Sequence, residues 1–129
     1  MKQITEDYCS YEIAVLLKEK GFDEPCWNYY YNSKLEHYFR PVKNSEWPLN
    51  RVSAPTHQMA LKWLREIYHC HVIIEYTFKA DAKLTNDYVS YCYSAENANT
   101  FIAFTQDEWY DTYEQAVEAA LLYVLKNLI

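Results

Sequence analysis

Glycine occurs once in this 129-residue chain, at Gly21. A phosphate-cradling loop needs several glycines so that the backbone can approach the ligand. Both the Walker A loop and the dinucleotide fingerprint are therefore excluded. No apolar run approaches the roughly 20 residues that a membrane-crossing helix requires, so no membrane partner is expected. The stretch from Met1 to Tyr8 is polar and acidic rather than a basic-then-apolar leader, which points to a cytoplasmic protein. Positive charge is also scarce. The formal net charge is −6, and nucleic-acid binders rely on a basic face, so nucleic acid is disfavoured as a partner. No run of carboxylates has phosphate-like spacing, although an acidic mimic that antagonises a nucleic-acid-binding protein remains an alternative. The four cysteines, Cys9, Cys26, Cys70 and Cys92, form no C-x-x-C pair and read as free, mostly buried thiols.

The chain is rich in tyrosine, with 14 residues. A tyrosine has a large apolar body and a polar tip, and it suits half-buried strand faces and protein interfaces. Helices are marked by a template that occurs three times: a hydroxyl residue, then Glu or Gln two positions on, then Ala. The copies are Ser10-Tyr11-Glu12-Ile13-Ala14, Thr56-His57-Gln58-Met59-Ala60 and Thr112-Tyr113-Glu114-Gln115-Ala116. Each precedes an apolar pattern of helical period, so each hydroxyl reads as an N-cap. The first helix is expected over about Ser10–Lys20, closed by Gly21 in a left-handed conformation, with Pro25 preventing its resumption. The second should bury Met59, Ala60, Trp63, Leu64 and Ile67 and end near Tyr68-His69. The third should open on a capping box of Thr112 and Gln115.

Between the helices lie strand signals. Trp27-Asn28-Tyr29-Tyr30-Tyr31 is an aromatic strand candidate, followed by a turn at Asn32-Ser33. Residues 34–52 contain Pro41 and Pro48 and read as an ordered loop, with at most a short strand through Leu35, Tyr38 and Phe39. After the second helix, Val72, Ile74, Tyr76 and Phe78 alternate with His71, Ile73, Glu75, Thr77 and Lys79. Turns over 81–87 and 95–99 separate this strand from strands at 88–93 and 100–105. The sum is one α+β domain spanning 1–129: a mostly antiparallel sheet of about four strands with three helices packed on one face, in the order α-β-α-β-β-β-α.

Few residues gather in a chemical pattern. His69-Cys70-His71 lacks further ligands at motif spacing and reads as a helix-to-strand junction, so no metal is expected. The adjacent carboxylates Glu6-Asp7, Asp23-Glu24 and Asp107-Glu108 read as turn and cap residues, and no cofactor is implied. The strongest candidate for recognition is aromatic: Trp27, Tyr29, Tyr30 and Tyr31, joined by Tyr38 and Trp47, with Arg40 and His37 in the same stretch. Such residues can anchor a protein partner or a second copy of the chain. If 27–31 formed a sheet edge, it could build a homodimer by strand pairing. The alternative is a small enzyme or small-molecule-binding domain, with Glu36, His37, Tyr38 and Arg40 lining a pocket between the 34–52 loop and the sheet.

The run from Tyr8-Cys9-Ser10-Tyr11-Glu12 through Lys18-Glu19-Lys20-Gly21-Phe22-Asp23-Glu24-Pro25-Cys26 resembles a group of small proteins encoded by phages and prophages of gut bacteria. Ser53-Ala54-Pro55-Thr56 with Ala60 and Trp63-Leu64-Arg65-Glu66, and Thr112-Tyr113-Glu114 with Ala116, fit the same pattern in the same order. The resemblance implies a mobile-element accessory protein. It brings no activity, cofactor or catalytic residue to these positions. The expectation is a non-enzymatic protein that binds another protein or itself.

Overall fold

All three hydroxyl residues cap a helix. The Ser10 Oγ accepts a hydrogen bond from the Ile13 backbone N–H at 3.3 Å, Thr56 Oγ1 from Met59 N–H at 3.2 Å, and Thr112 Oγ1 from Gln115 N–H at 3.1 Å. The Gln115 side chain returns a bond to the Thr112 N–H, which completes the capping box. The computed structural model describes residues 3–78, 89–105 and 108–129. The three helices are α1 (Tyr11–Glu19), α2 (His57–Tyr68) and α3 (Tyr113–Tyr123), and α3 continues as a π-helical turn over Val124–Leu128. The strands are β1 (Cys26–Tyr31), β2 (Lys34–Val42), β3 (Arg51–Ser53), β4 (Cys70–Phe78), β5 (Val89–Asn97) and β6 (Ile102–Thr105). The expected turn over 81–87, the expected strand's first residue Tyr88 and Asp107 lie outside the described residues.

The class is α+β and the element order is as expected, but the single sheet of about four strands is two antiparallel sheets of three, ordered β2-β1-β3 and β4-β5-β6. The chain divides into two compact units, Met1–Trp63 and Leu64–Ile129, with one sheet in each. The extra strands come from the segment read as a loop. Pro41 does not break β2, for two reasons. β2 is an edge strand, so a missing N–H need not remove a ladder bond. The register also shifts there: Asn28 faces His37, but Cys26 faces Val42. Residues 38–41 thus bulge past Trp27, which hides the alternation a strand would show in sequence.

In the first unit, α1 packs on β3 and buries Ile13, Ala14 and Leu17. Gly21 takes φ +96° and closes the helix, and the following Phe22 is fully buried edge-on against Trp63. Asn32 and Ser33, both at positive φ (52° and 63°), make the two-residue β1–β2 turn. That is the backbone of a type I′ hairpin. On α2 the buried residues are His57, Ala60, Leu61, Trp63 and Leu64, whereas Met59 and Ile67 are exposed. Two overlapping stripes fit helical spacing here, and the helix buries the one that starts at His57.

In the second unit, α3 packs across β4 and β5 through Ala116, Val117, Ala120 and Leu121. β5 runs on through Ala95 to Asn97, so the expected 95–99 turn begins three residues later. Asn97 organises that turn. Its buried Oδ1 accepts from the N–H groups of Asn99 (2.9 Å) and Thr100 (3.4 Å), and its Nδ2 donates to the Leu128 carbonyl at 2.7 Å. The junction at 69–71 is as expected: His69 takes a left-handed φ of 56°, Cys70 is buried and His71 is exposed.

Ser33→Gly should stabilise the chain by about 0.5–1 kcal/mol, because glycine takes the left-handed turn position without a Cβ clash. Ser33→Val should destabilise it. Midpoints of urea unfolding report both.

Candidate functional site

β1 is the central strand of its sheet, flanked by β2 and β3. Trp27–Tyr31 therefore offers no edge for pairing with a second copy, contrary to the edge arrangement considered from sequence. Successive strand residues point to opposite faces, and this divides the aromatic candidates. Asn28, Tyr30 and His37 share one face; Tyr29, Tyr31 and Glu36 share the other.

On the first face, Tyr30 donates its hydroxyl to the Cys9 carbonyl at 2.7 Å and meets the Tyr11 ring edge-on. It is a packing residue beside α1. Trp27 lies parallel to the His37 ring at 5.9 Å between centroids, and His37 Nδ1 is 2.8 Å from the Asn28 Oδ1. Trp27 also lines a cavity of about 150 Å³ with Tyr8, Cys26, Pro55, Thr56 and Met59. Ordinary ligand sites are roughly 300–1,000 Å³, so this hollow has room for a single small apolar group.

The second face carries the denser cluster. Tyr29 contacts the rings of Tyr38 (5.8 Å) and Trp47 (4.8 Å), and Tyr38 contacts Trp47 (4.9 Å). The Arg51 guanidinium lies over three rings at once: Tyr29 at 5.1 Å, Trp47 at 5.3 Å and Tyr31 at 5.6 Å. A cation over an aromatic face is drawn to the ring's negative quadrupole, by about 0.5–1 kcal/mol for each exposed contact. Arg40 stands 5.9 Å above Tyr38 and 3.6 Å from the Glu46 carboxylate. Phe39 packs against Tyr38 at 4.4 Å yet is 77% exposed.

Trp47 reaches this face because its loop is anchored from below. The buried Asn44 donates its Nδ2 to the Phe22 carbonyl at 2.8 Å and accepts the Ser53 N–H on Oδ1 at 2.9 Å. Trp47 then donates Nε1–H to the Ser53 Oγ at 3.1 Å, and Ser53 donates onward to the Val42 carbonyl at 3.4 Å. Outside the loop, Asp23 accepts the Ser45 N–H at 2.7 Å. That bond holds its carboxyl below the ordinary range, against a partial desolvation.

Tyr29, Tyr31, Tyr38, Arg40 and Trp47 are thus brought together, while Trp27, Tyr30 and His37 fall on the opposite face. Arg51 was missed from sequence. The available signal was a lone cation beside an aromatic-rich stretch, masked because β3 was read as loop. The pocket considered from Glu36, His37, Tyr38 and Arg40 does not converge, since Glu36 and His37 point to opposite faces.

The thiols are poor nucleophiles. All four cysteines are buried and none is in a disulfide. Burial, with the Glu24 carboxylate adding to it, pushes Cys26 from an ordinary 9.0 up to about 12. Burial raises Cys70, and burial together with Glu75 raises Cys92. Among the described residues, no three His, Cys, Asp or Glu side chains gather to hold a metal ion, and no helix is long and apolar enough to cross a membrane. No family model matches the chain, and neither a curated protein nor a solved structure matches it.

The folded Cys26 thiol keeps its proton to about pH 12, whereas an exposed thiol releases it near 9.0. The unfolded state therefore binds fewer protons above pH 9, and stability should fall between about pH 9 and 12. Cys26→Ala should flatten that decline, as urea midpoints measured across the range will show. Folded protein at pH 8 should leave Cys26 unalkylated by iodoacetamide.

Proposed function

We propose that this chain is a non-enzymatic interaction protein, an accessory protein of the phage or prophage type, that binds a protein partner through the Arg51-centred aromatic face. The observation that carries the reading is Phe39, an apolar ring left 77% exposed beside a preassembled set of Tyr29, Tyr31, Tyr38, Trp47 and Arg51. Tyr, Trp and Arg dominate the residues whose truncation weakens protein interfaces most. Rings already packed on one another lose little conformational freedom on binding, so the face is preorganised.

Charge narrows the partner. The chain is acidic overall, but this face centres on Arg51; its other cations are paired, Lys34 with Glu36 at 3.8 Å and Arg40 with Glu46 at 3.6 Å. A partner surface with carboxylates around an apolar centre complements it, and a polyphosphate backbone does not suit the net charge. Buried thiols outside any disulfide fit a reducing cytoplasm.

Phe39→Asp should leave the thermal midpoint unchanged and weaken partner binding about thirtyfold, the size of a hot-spot loss of about 2 kcal/mol. Ile4→Asp, at another exposed apolar position, should leave both the midpoint and the binding unchanged. Quantitative pull-downs from the host with both variants decide the matter; equal recovery of every partner by the two would refute the reading.

A further inference from the structure

Among the described residues four strands lie at sheet edges, and three of them carry a feature that discourages further pairing. β2 has Lys34, Arg40 and Pro41 and a shifted register, β3 is three residues long and β6 is four. Short edges, charges, prolines and bulges are the usual protections against strand addition. β4 is neither short nor bulged, and its one fixed charge is the carboxylate of Glu75. It is nine residues long, contains no Pro, Gly, Lys or Arg, and pairs with β5 residue for residue from Cys70 to Phe78 without a shift. Its other edge has no neighbouring strand among the described residues. Its side chains are β-branched or aromatic at Val72, Ile73, Ile74, Tyr76 and Thr77, and Ile73 is 56% and Tyr76 65% exposed.

We propose that β4 pairs antiparallel with β4 of a second copy of this chain, joining two three-stranded sheets into one of six across a two-fold axis. The placement of His71 and Glu75 selects a second copy as the occupant. The strand bears one imidazole and one carboxylate, His71 and Glu75, both on the same face. A two-fold centred on Ile73 sets His71 of each copy opposite Glu75 of the other. The same register sets Val72 opposite Ile74 and Ile73 opposite itself. Moving the axis by one residue, to Ile74, sets Glu75 against Ile73 and His71 against Thr77 and loses both imidazole–carboxylate pairs. The strand is therefore complementary to itself in one register, as an isologous contact requires. Main-chain hydrogen bonds supply the affinity and the side chains fix the alignment.

Light scattering coupled to size-exclusion chromatography tests this over a dilution series from micromolar to millimolar. The mass should rise toward twice the 15.5 kDa of one chain. Ile73→Lys replaces an exposed side chain, so circular dichroism should be unchanged. It sets two lysines against each other, so the dissociation constant should rise by about tenfold or more. His71→Glu should weaken the dimer similarly, and His71→Glu combined with Glu75→His should restore it. Phe39→Asp should leave the dimer intact, which separates this contact from the aromatic face. A single-chain mass at millimolar concentration, indifference to Ile73→Lys, or failure of the exchanged pair to restore the dimer would each overturn the proposal.

Discussion

Asn44 is the constraint on which the aromatic face depends. It is buried, and its amide has both a donor and an acceptor to satisfy. A buried amide left without partners costs about 1–3 kcal/mol per unpaired group. Here the donor reaches back to Phe22, just beyond α1, and the acceptor takes the N–H of Ser53 in β3. One side chain thereby ties the end of the first helix to an edge strand and sets the path of the loop between. Ser53, bonded to Val42 and to the Trp47 indole, passes that constraint to the surface. The result is a tryptophan laid over two tyrosines, with an arginine held above the group.

The second unit uses the same device for a different end. Asn97 spends its acceptor on the turn after β5 and its donor on the last turn of the chain's final helical segment. Asn44 opens a short 3-10 turn over Asn44–Glu46 and Asn97 ends β5, so neither side chain competes with an α-helical backbone. Both stand where irregular backbone has polar groups that no ladder satisfies.

The legible parts of the fold were those set by local chemistry. Three hydroxyl caps, the glycine closing α1, the Asn32-Ser33 turn and the 69–71 junction all follow from interactions within a few residues. The strands at 34–42 and 51–53 were not legible. Pro41, Pro48 and a bulge erase the period-two pattern, and β3 is too short to show one. On α2, the stripe read through Met59 and Ile67 gave way to an equally spaced one that starts at His57 and includes Leu61. The aromatic content of the site was visible from composition, but its division into two faces needed the register of β1 on β2. Arg51 could be placed over the rings only once β3 was known to run beside β1.

A face with interlocked rings and a shared cation presents a fixed surface. The most direct check of the central claim is hydrogen exchange at the Trp47 indole N–H, followed by NMR in the wild type and in Asn44→Ala. Exchange should be slow in the wild type and fast in the variant, with the buried Trp63 indole unchanged. Equal exchange of Trp47 in both proteins would show that Asn44 does not hold the loop in place, and would contradict the account.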